Sequence, residues 1–342
     1  MEFALTALAS FLLGLLFTPL AIWTAHRIDI LDRPVTKLKK HEKPVAYLGG
    51  VAVFLAFIIP VLAFKIIMHE TLHGVLAIVM GGTLMMGVGL IDDVKNLTPY
   101  AKLVMQFVVA GLILKANMHI KFMDNNIINI ALTVLWIVGV SNAMNLIDIM
   151  DGLAAGVSAV ACAAFFAVAF LAGRVNDMLP AAALFGAVTA FLIYNKPPAR
   201  IYLGDAGSLF LGFTLAAIAL NESYTRTNVV AVLSPVLILG VPIFEVILVT
   251  MIRIGKGVLP IYGTDDHAAQ RLVMLGMSKP QSVLFLVCAT AVLSGLAVYS
   301  TFLSLSGAIV LYLAVFAVVL MYAILLASVD MKKYHKIHRK RS

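Results

Sequence analysis

Eleven apolar runs follow one another along this chain, each near the roughly 20 residues that carry a helix across a bilayer. They fall at about 3–25, 45–67, 74–91, 101–117, 127–141, 153–172, 178–194, 206–220, 228–252, 281–300 and 304–328. The runs are continuous rather than alternating, which excludes a transmembrane barrel and leaves helices as the spanning element. The expected fold class is therefore all-α, a polytopic membrane protein with about eleven transmembrane helices. A composition 62% hydrophobic and only 12% charged excludes a soluble domain.

The cations sort by side. Of the 25 Lys and Arg residues, all but Lys65, Lys115, Lys121, Arg174 and Arg226 fall in the gaps on one side of the membrane, with Lys102 at its edge. Basic loops mark the cytoplasmic face, so the N-terminus is expected outside and the C-terminus inside. The formal charge of +8 then reports topology rather than a nucleic-acid surface. Residues 1–330 read as a single transmembrane domain and 331–342 as a basic cytoplasmic tail. Cys162 and Cys288 lie inside apolar runs and read as small core residues, with no disulfide framework.

Carboxylates gather on the same side as the cations, which no topology rule demands. Asp92, Asp93, Asp148, Asp151, Asp205, Asp265 and Asp266 all sit at its helix ends or loops. One face carrying both signs has the composition of a site for a metal and an anionic substrate. Carboxylates beside hydrocarbon cost several kcal/mol unless hydrated, paired or bound to a cation.

Four elements carry them. Asp92-Asp93 ends the third run, where the pair either forms a solvated helix terminus or divides two jobs; Lys95 and Lys102 either neutralise it or grip a phosphate. Residues 142–152, NAMNLIDIMDG, place Asn142, Asn145, Asp148 and Asp151 three apart. Each such step falls about 60° behind the last on a helix, so the set sweeps half the circumference and is not one stripe. The asparagines are assigned to the end of the fifth span and the aspartates to the following turn, where Asp151 could equally cap the next helix. Residues 195–208, NKPPARIYLGDAGS, stop one helix at Pro197-Pro198 and open the next around Gly204-Asp205. Flanking glycines there allow close approach of a diphosphate to free N–H groups, though Asp205 could also be a plain cap. In the longest loop on this side, a short helix is expected around 267–275, with His267 and Arg271 sharing a face suited to phosphate or simply solvated. Pro235 and Pro242 predict a break in the ninth span, which could turn Glu245 toward the rim of the site.

Together these elements resemble the polyprenyl-phosphate N-acetylhexosamine-1-phosphate transferase family. The resemblance covers nearly the whole chain: the basic stretch before Gly49-Gly50, Asp92-Asp93, the Asn/Asp cluster, NKPPARIYLGDAGS, Pro242-Ile243-Phe244-Glu245 and the His267 loop, in family order. It implies ten or eleven transmembrane helices around a cytoplasm-facing site in the cell membrane. The implied reaction is Mg2+-dependent (Mn2+ as an alternative) transfer of sugar-1-phosphate from a UDP-N-acetylhexosamine to a polyprenyl phosphate, releasing UMP. By matching positions, Asp205 would be the metal ligand, and Asp92 would accept the proton of the lipid phosphate or orient it. Asp93 would help hold that site. Asn142, Asn145, Asp148, Asp151 and Asn195 would line the substrate side; Lys43 and Lys102 would contact nucleotide and phosphate. His267 and Arg271 would engage the diphosphate or sugar. A homodimer is compatible with the family.

Two departures bear on substrate. The cluster reads IDIMDG, with Ile149 where the family pattern D-G-x-D-G has glycine. The loop carries His267 followed by Ala268, Ala269 and Gln270, where the family has several histidines. The missing histidines argue for a small UDP-N-acetylhexosamine over the muramoyl-pentapeptide donor. A transporter using intramembrane carboxylates is the alternative from another class. Against it stand the clustering of acids at one side and the lack of an inverted repeat.

Overall fold

The computed structural model describes residues 2–32, 44–69, 71, 73–121, 123–220, 233–259 and 266–331. Lys43, Asp265 and nearly all of the 331–342 tail lie outside the described residues. The fold is an all-α bundle. Its helices are α1 (Glu2–Arg27), α2 (Gly49–Ile67), α3 (His73–Lys95), α4 (Pro99–Lys115), α5 (Asn126–Ile147), α6 (Leu153–Leu171) and α7 (Val175–Asn195). They continue with α8 (Gly204–Leu220), α9 (Ser234–Ile238), α10 (Gly240–Gly255), α11 (Ala268–Met274), α12 (Lys279–Ser300) and α13 (Leu305–Ala327).

Eight of the described helices are long and apolar enough to cross a membrane: α1, α2, α3, α5, α6, α7, α12 and α13. The other three apolar runs form α4 and α8, of 17 residues each, and the broken pair α9 and α10. The break falls at Leu239, between the two prolines. Pro235 sits in the first turn of α9 and Pro242 in that of α10, where a missing N–H costs nothing. The short loop helix is present as α11. Of the two cysteines only Cys162 is in the core; Cys288 is exposed on α12, because its face of that helix points out of the bundle.

At the centre lies α8, packed against α2, α3, α5 and α6. Sixteen of its 17 residues are buried, and Asp205 is the exception. Small residues let the neighbours come this close, as is usual where helices associate in lipid. A Cβ on Gly50 would lie 2.2 Å from the backbone nitrogen of Gly207, and one on Gly89 would lie 2.3 Å from the carbonyl oxygen of Asp205. By contrast α13 packs at the periphery and exposes Leu313, Phe316, Met321 and Ile324, an apolar face suited to lipid.

A feature absent from the sequence reading is a two-residue ladder, β1 (Leu31–Asp32) antiparallel to β2 (Val45–Ala46). The segment before α8 joins it, with Ile201 bridged in parallel to Ala46. Tyr202 N donates to Ala46 O at 2.8 Å, and Gly49 N and Gly50 N donate to Tyr202 O and Leu203 O. The N-terminal ends of α2 and α8 are thereby tied together under one cleft.

Candidate active site

That cleft has a volume of about 1120 Å³ and is walled by the ends of the central helices. Asp92 and Asp93 enter from α3, Asp148 and Asp151 from the turn after α5, and Asp205 from α8. Asp29 and Asp32, Tyr47, Asn96, Asn195, Tyr202 and Lys279 complete the polar lining. The three acidic elements that the sequence spaces far apart therefore meet at one place.

Asp205 is held from three sides. Its Oδ2 takes a hydrogen bond from Lys102 Nζ at 2.7 Å, and its Oδ1 takes one from Asn145 Nδ2 at 2.8 Å. Asn145 also donates to Ser208 Oγ at 2.9 Å, one turn along α8. Asp93 caps α8 from a different helix, accepting from Asp205 N at 2.8 Å and Ala206 N at 3.1 Å. A carboxylate at a helix N-terminus satisfies orphan donors and complements the dipole. Gly204 makes room for it: its φ is +70°, and a Cβ there would lie 2.7 Å from Asp93 Oδ2. Asp92, 5% exposed, pairs with Lys102 through one oxygen and accepts from Leu97 N at 2.6 Å through the other. Lys102 thus bridges Asp92 and Asp205.

Around this centre the field is negative. Burial, and then the charges of Asp205, Asp93 and Asp151, push the Asp148 carboxyl up to about 8. Burial, and then Asp151 and Asp32, push the Tyr202 phenol up to about 12; Tyr47 is shifted upward chiefly by burial and Asp32. A field of this sign disfavours a diphosphate and favours a cation. Among the described residues no three His, Cys, Asp or Glu side chains converge to form a ready-made metal cage. Mg2+ does not require one, since it is usually held by one or two carboxylates together with water and substrate phosphates. Asp205 fits that role: its side chain is 31% exposed, and its Oδ2 already accepts the cationic head of Lys102.

Several sequence-derived assignments change. Asn142 does not reach the cleft; its amide faces Gln106 and the carbonyl of Val138, because the α5 helix runs on to Ile147 and turns that side chain toward α4. Asn195 borders the cleft, but its Oδ1 accepts from Gly152 N and its Nδ2 donates to Ile201 O, clasping two loops. Asp151 is not the cap of α6; it accepts from Ala199 N at 3.0 Å, and Gly152 occupies the cap with φ +80°. His267 and Arg271 are not among the cleft-lining residues. His267 Nδ1 lies 2.8 Å from Glu245 Oε1, and both are buried. Arg271, 2% exposed, binds Asp266 and the carbonyls of Leu326 and Val329, fastening α11 to the end of α13. Glu245 accordingly faces this network rather than the rim.

Tyr47, Tyr202, Lys279, Asp29 and Asp32 were not singled out from sequence. Their signal is position: Tyr47 stands two residues before Gly49-Gly50 and Tyr202 three before Asp205. The two rings meet edge to face, with centroids 5.8 Å apart.

A helical membrane bundle whose central helix exposes one carboxylate into an acidic cleft is the frame of an integral-membrane protein with a polar, cation-favouring site at its helix ends. Residues 75–222 match the model for glycosyl transferase family 4. Over 97% of its length the chain is 31% identical to 95% of a Bacillus subtilis (strain 168) protein described as a probable undecaprenyl-phosphate N-acetylglucosaminyl 1-phosphate transferase. It is 25% identical to the undecaprenyl-phosphate alpha-N-acetylglucosaminyl 1-phosphate transferase of Salmonella typhi, over 91% of this chain and 89% of the relative. The phospho-N-acetylmuramoyl-pentapeptide-transferase of Shouchella clausii (strain KSM-K16) is 33% identical, over only 55% of this chain and 64% of the relative. The chain belongs to the polyprenyl-phosphate N-acetylhexosamine-1-phosphate transferase family, within glycosyl transferase family 4.

Proposed function

We propose that the protein transfers N-acetylglucosamine-1-phosphate from its UDP-sugar to a polyprenyl phosphate, giving the lipid diphosphate sugar and UMP. The observation that carries this reading is Asp205: the one unburied residue of the central helix, fixed at both oxygens, in a cleft large enough for a nucleotide sugar. The relatives similar over most of this chain's length are described as undecaprenyl-phosphate N-acetylglucosaminyl 1-phosphate transferases, which supports that acceptor, and N-acetylglucosamine-1-phosphate as the transferred group over the muramoyl-pentapeptide alternative.

In this reading an oxygen of the lipid phosphate forms a bond to the β-phosphorus of the donor. The bond from that phosphorus to the bridging oxygen breaks, and UMP leaves with the electron pair. Mg2+ held by Asp205 would neutralise the diphosphate oxygens and the charge developing on UMP. Asp93 keeps α8 and its carboxylate in place through the two cap bonds. Asp92, with both oxygens engaged, holds Lys102 against Asp205, where its ammonium would meet an incoming phosphate. Asn145 holds the second oxygen of Asp205. Tyr202 and Tyr47 supply an aromatic wall on which a nucleobase can stack. The cleft lies at the helix ends nearest the basic loops, which supports a site facing the cytoplasm.

The test supplies purified protein with undecaprenyl phosphate, Mg2+ and a panel of UDP-sugars, and measures UMP and lipid-linked product. UDP-N-acetylglucosamine is expected to give both in equal amounts. Asp205→Ala is expected to abolish turnover while the thermal unfolding profile in detergent stays close to wild type. No product from any UDP-sugar would overturn the reading, and full activity in Asp205→Ala would remove that residue from the reaction.

A further inference from the structure

Beside the cleft, α4 and α5 face each other in two rungs. The upper rung is the grip on Asp205: Lys102 from α4 on one oxygen, Asn145 from α5 on the other. The lower rung lies one helical turn deeper, four residues after Lys102 and three before Asn145, where i,i+3 and i,i+4 positions share a helix face. There Gln106 Oε1 accepts from Asn142 Nδ2 at 2.7 Å, and Gln106 Nε2 donates to Asn142 Oδ1 at 3.2 Å. Two primary amides thus close a reciprocal ring. Asn142 Nδ2 also donates to Val138 O at 2.8 Å. Gln106 is 1% exposed, and Val109 on α4 and Ile137 on α5 are fully buried.

Gln106 is buried and Asn142 partly so, so their amides lose water, and only a satisfied pair avoids a further penalty. Its geometry also fixes how the helices meet. A slip of one helical turn, about 5.4 Å, or a separation of about 1 Å would carry both bonds beyond hydrogen-bond length. The upper rung lacks such a reciprocal ring: on the α4 side it is one ammonium, a compact point charge that can swing between acceptors. The lower rung can therefore set the register of α4 against α5, and the upper rung inherits it.

We propose that Gln106 and Asn142 are positioning residues: a register clamp that keeps Lys102 and Asn145 on the two oxygens of Asp205. The clamp rests on the reading of Asp205 as the carboxylate at the centre of phosphate transfer. It replaces a substrate contact for Asn142 with a role one helical turn away from the reacting groups.

The experiment compares wild type with Gln106→Leu, with the swap Gln106→Asn/Asn142→Gln, and with Val109→Ala, which loosens α4 packing without touching the amides. Each is assayed for kcat and for KM toward UDP-N-acetylglucosamine and undecaprenyl phosphate. Lys102 reactivity is read separately, by acetic anhydride labelling and mass spectrometry. Gln106→Leu is expected to lower kcat about tenfold to hundredfold, with both KM values within about twofold, and to speed Lys102 labelling several-fold. The swap restores both readouts toward wild type, and Val109→Ala leaves both near wild type. The clamp is overturned if Gln106→Leu keeps wild-type kcat and labelling, if KM rises at constant kcat, or if Val109→Ala loses as much kcat as Gln106→Leu. Should wild type itself form no product, the transferase reading fails, while Lys102 labelling still decides the clamp.

Discussion

Gly89→Ala places one methyl group where α3 crosses the start of α8, and the structure fixes what it meets. The new Cβ would lie 2.3 Å from the carbonyl oxygen of Asp205 and 2.4 Å from both the nitrogen and the Cα of Ala206. All three are backbone atoms, so no side chain can rotate away. Ordinary contact begins near 3.4 Å, so the helices must part by about 1 Å. Asp93 sits one turn further along α3 and caps α8 with bonds of 2.8 and 3.1 Å. Lengthened by that displacement, both would pass beyond about 3.5 Å and cease to be hydrogen bonds. The expected stability loss is about 1–3 kcal/mol for the overpacking. Turnover should suffer more, because an ångström of misplacement at a reacting centre can cost about 100-fold. Steady-state production of UMP, normalised to folded protein from thermal unfolding, separates the two effects. Gly87→Ala is the control on the same helix: nothing lies within 4 Å of its Cβ, and wild-type turnover is expected. A folded Gly89→Ala variant with wild-type kcat would refute the claim that the α3–α8 approach positions Asp205.

Asp148 gives a pH signature. Its carboxyl is raised to about 8, so the native state binds a proton that the unfolded chain releases near pH 4; stability is full below that value and is lost as pH rises through about 8. Asp148→Asn should therefore unfold at a higher temperature than wild type at pH 9 in divalent-free detergent, and the two should converge near pH 4. Equal unfolding temperatures at pH 9 would show that the charge is not strained. Arg271→Met should act on stability rather than chemistry. It removes the bonds to Asp266, Leu326 and Val329, and breaking a buried ion pair costs about 3–5 kcal/mol, so the unfolding temperature should fall while kcat and KM of the folded fraction hold. A raised KM at unchanged stability would return Arg271 to the substrate.

Length and apolarity made the bundle legible, because a bilayer leaves few other fates for a 20-residue apolar run. The end of α5 was legible as well: the asparagines read as the end of the fifth span, and both lie within α5, where each finds a polar partner inside the bundle. The 60° offset between positions three apart already hinted at the arrangement: Asn142 turns to Gln106 on α4, while Asn145 turns to Asp205 and Ser208 on α8. What the offset could not supply is the identity of those partners. Lys102 and Asp93 reach Asp205 across separations of 103 and 112 residues, and no local pattern encodes such distances. The signal that was available is Gln106, an amide inside the run LVMQFVV, since a polar side chain buried in apolar surroundings requires a partner. His267 and Arg271 show the opposite limit. Their spacing of four suggests a shared grip on phosphate, but spacing cannot say whether the shared face meets a ligand or a neighbouring helix. Here Glu245 and the carbonyls at the end of α13 occupy it. Asp205 escapes that ambiguity only because every other residue of α8 is buried, a property of packing that its neighbouring glycines permit.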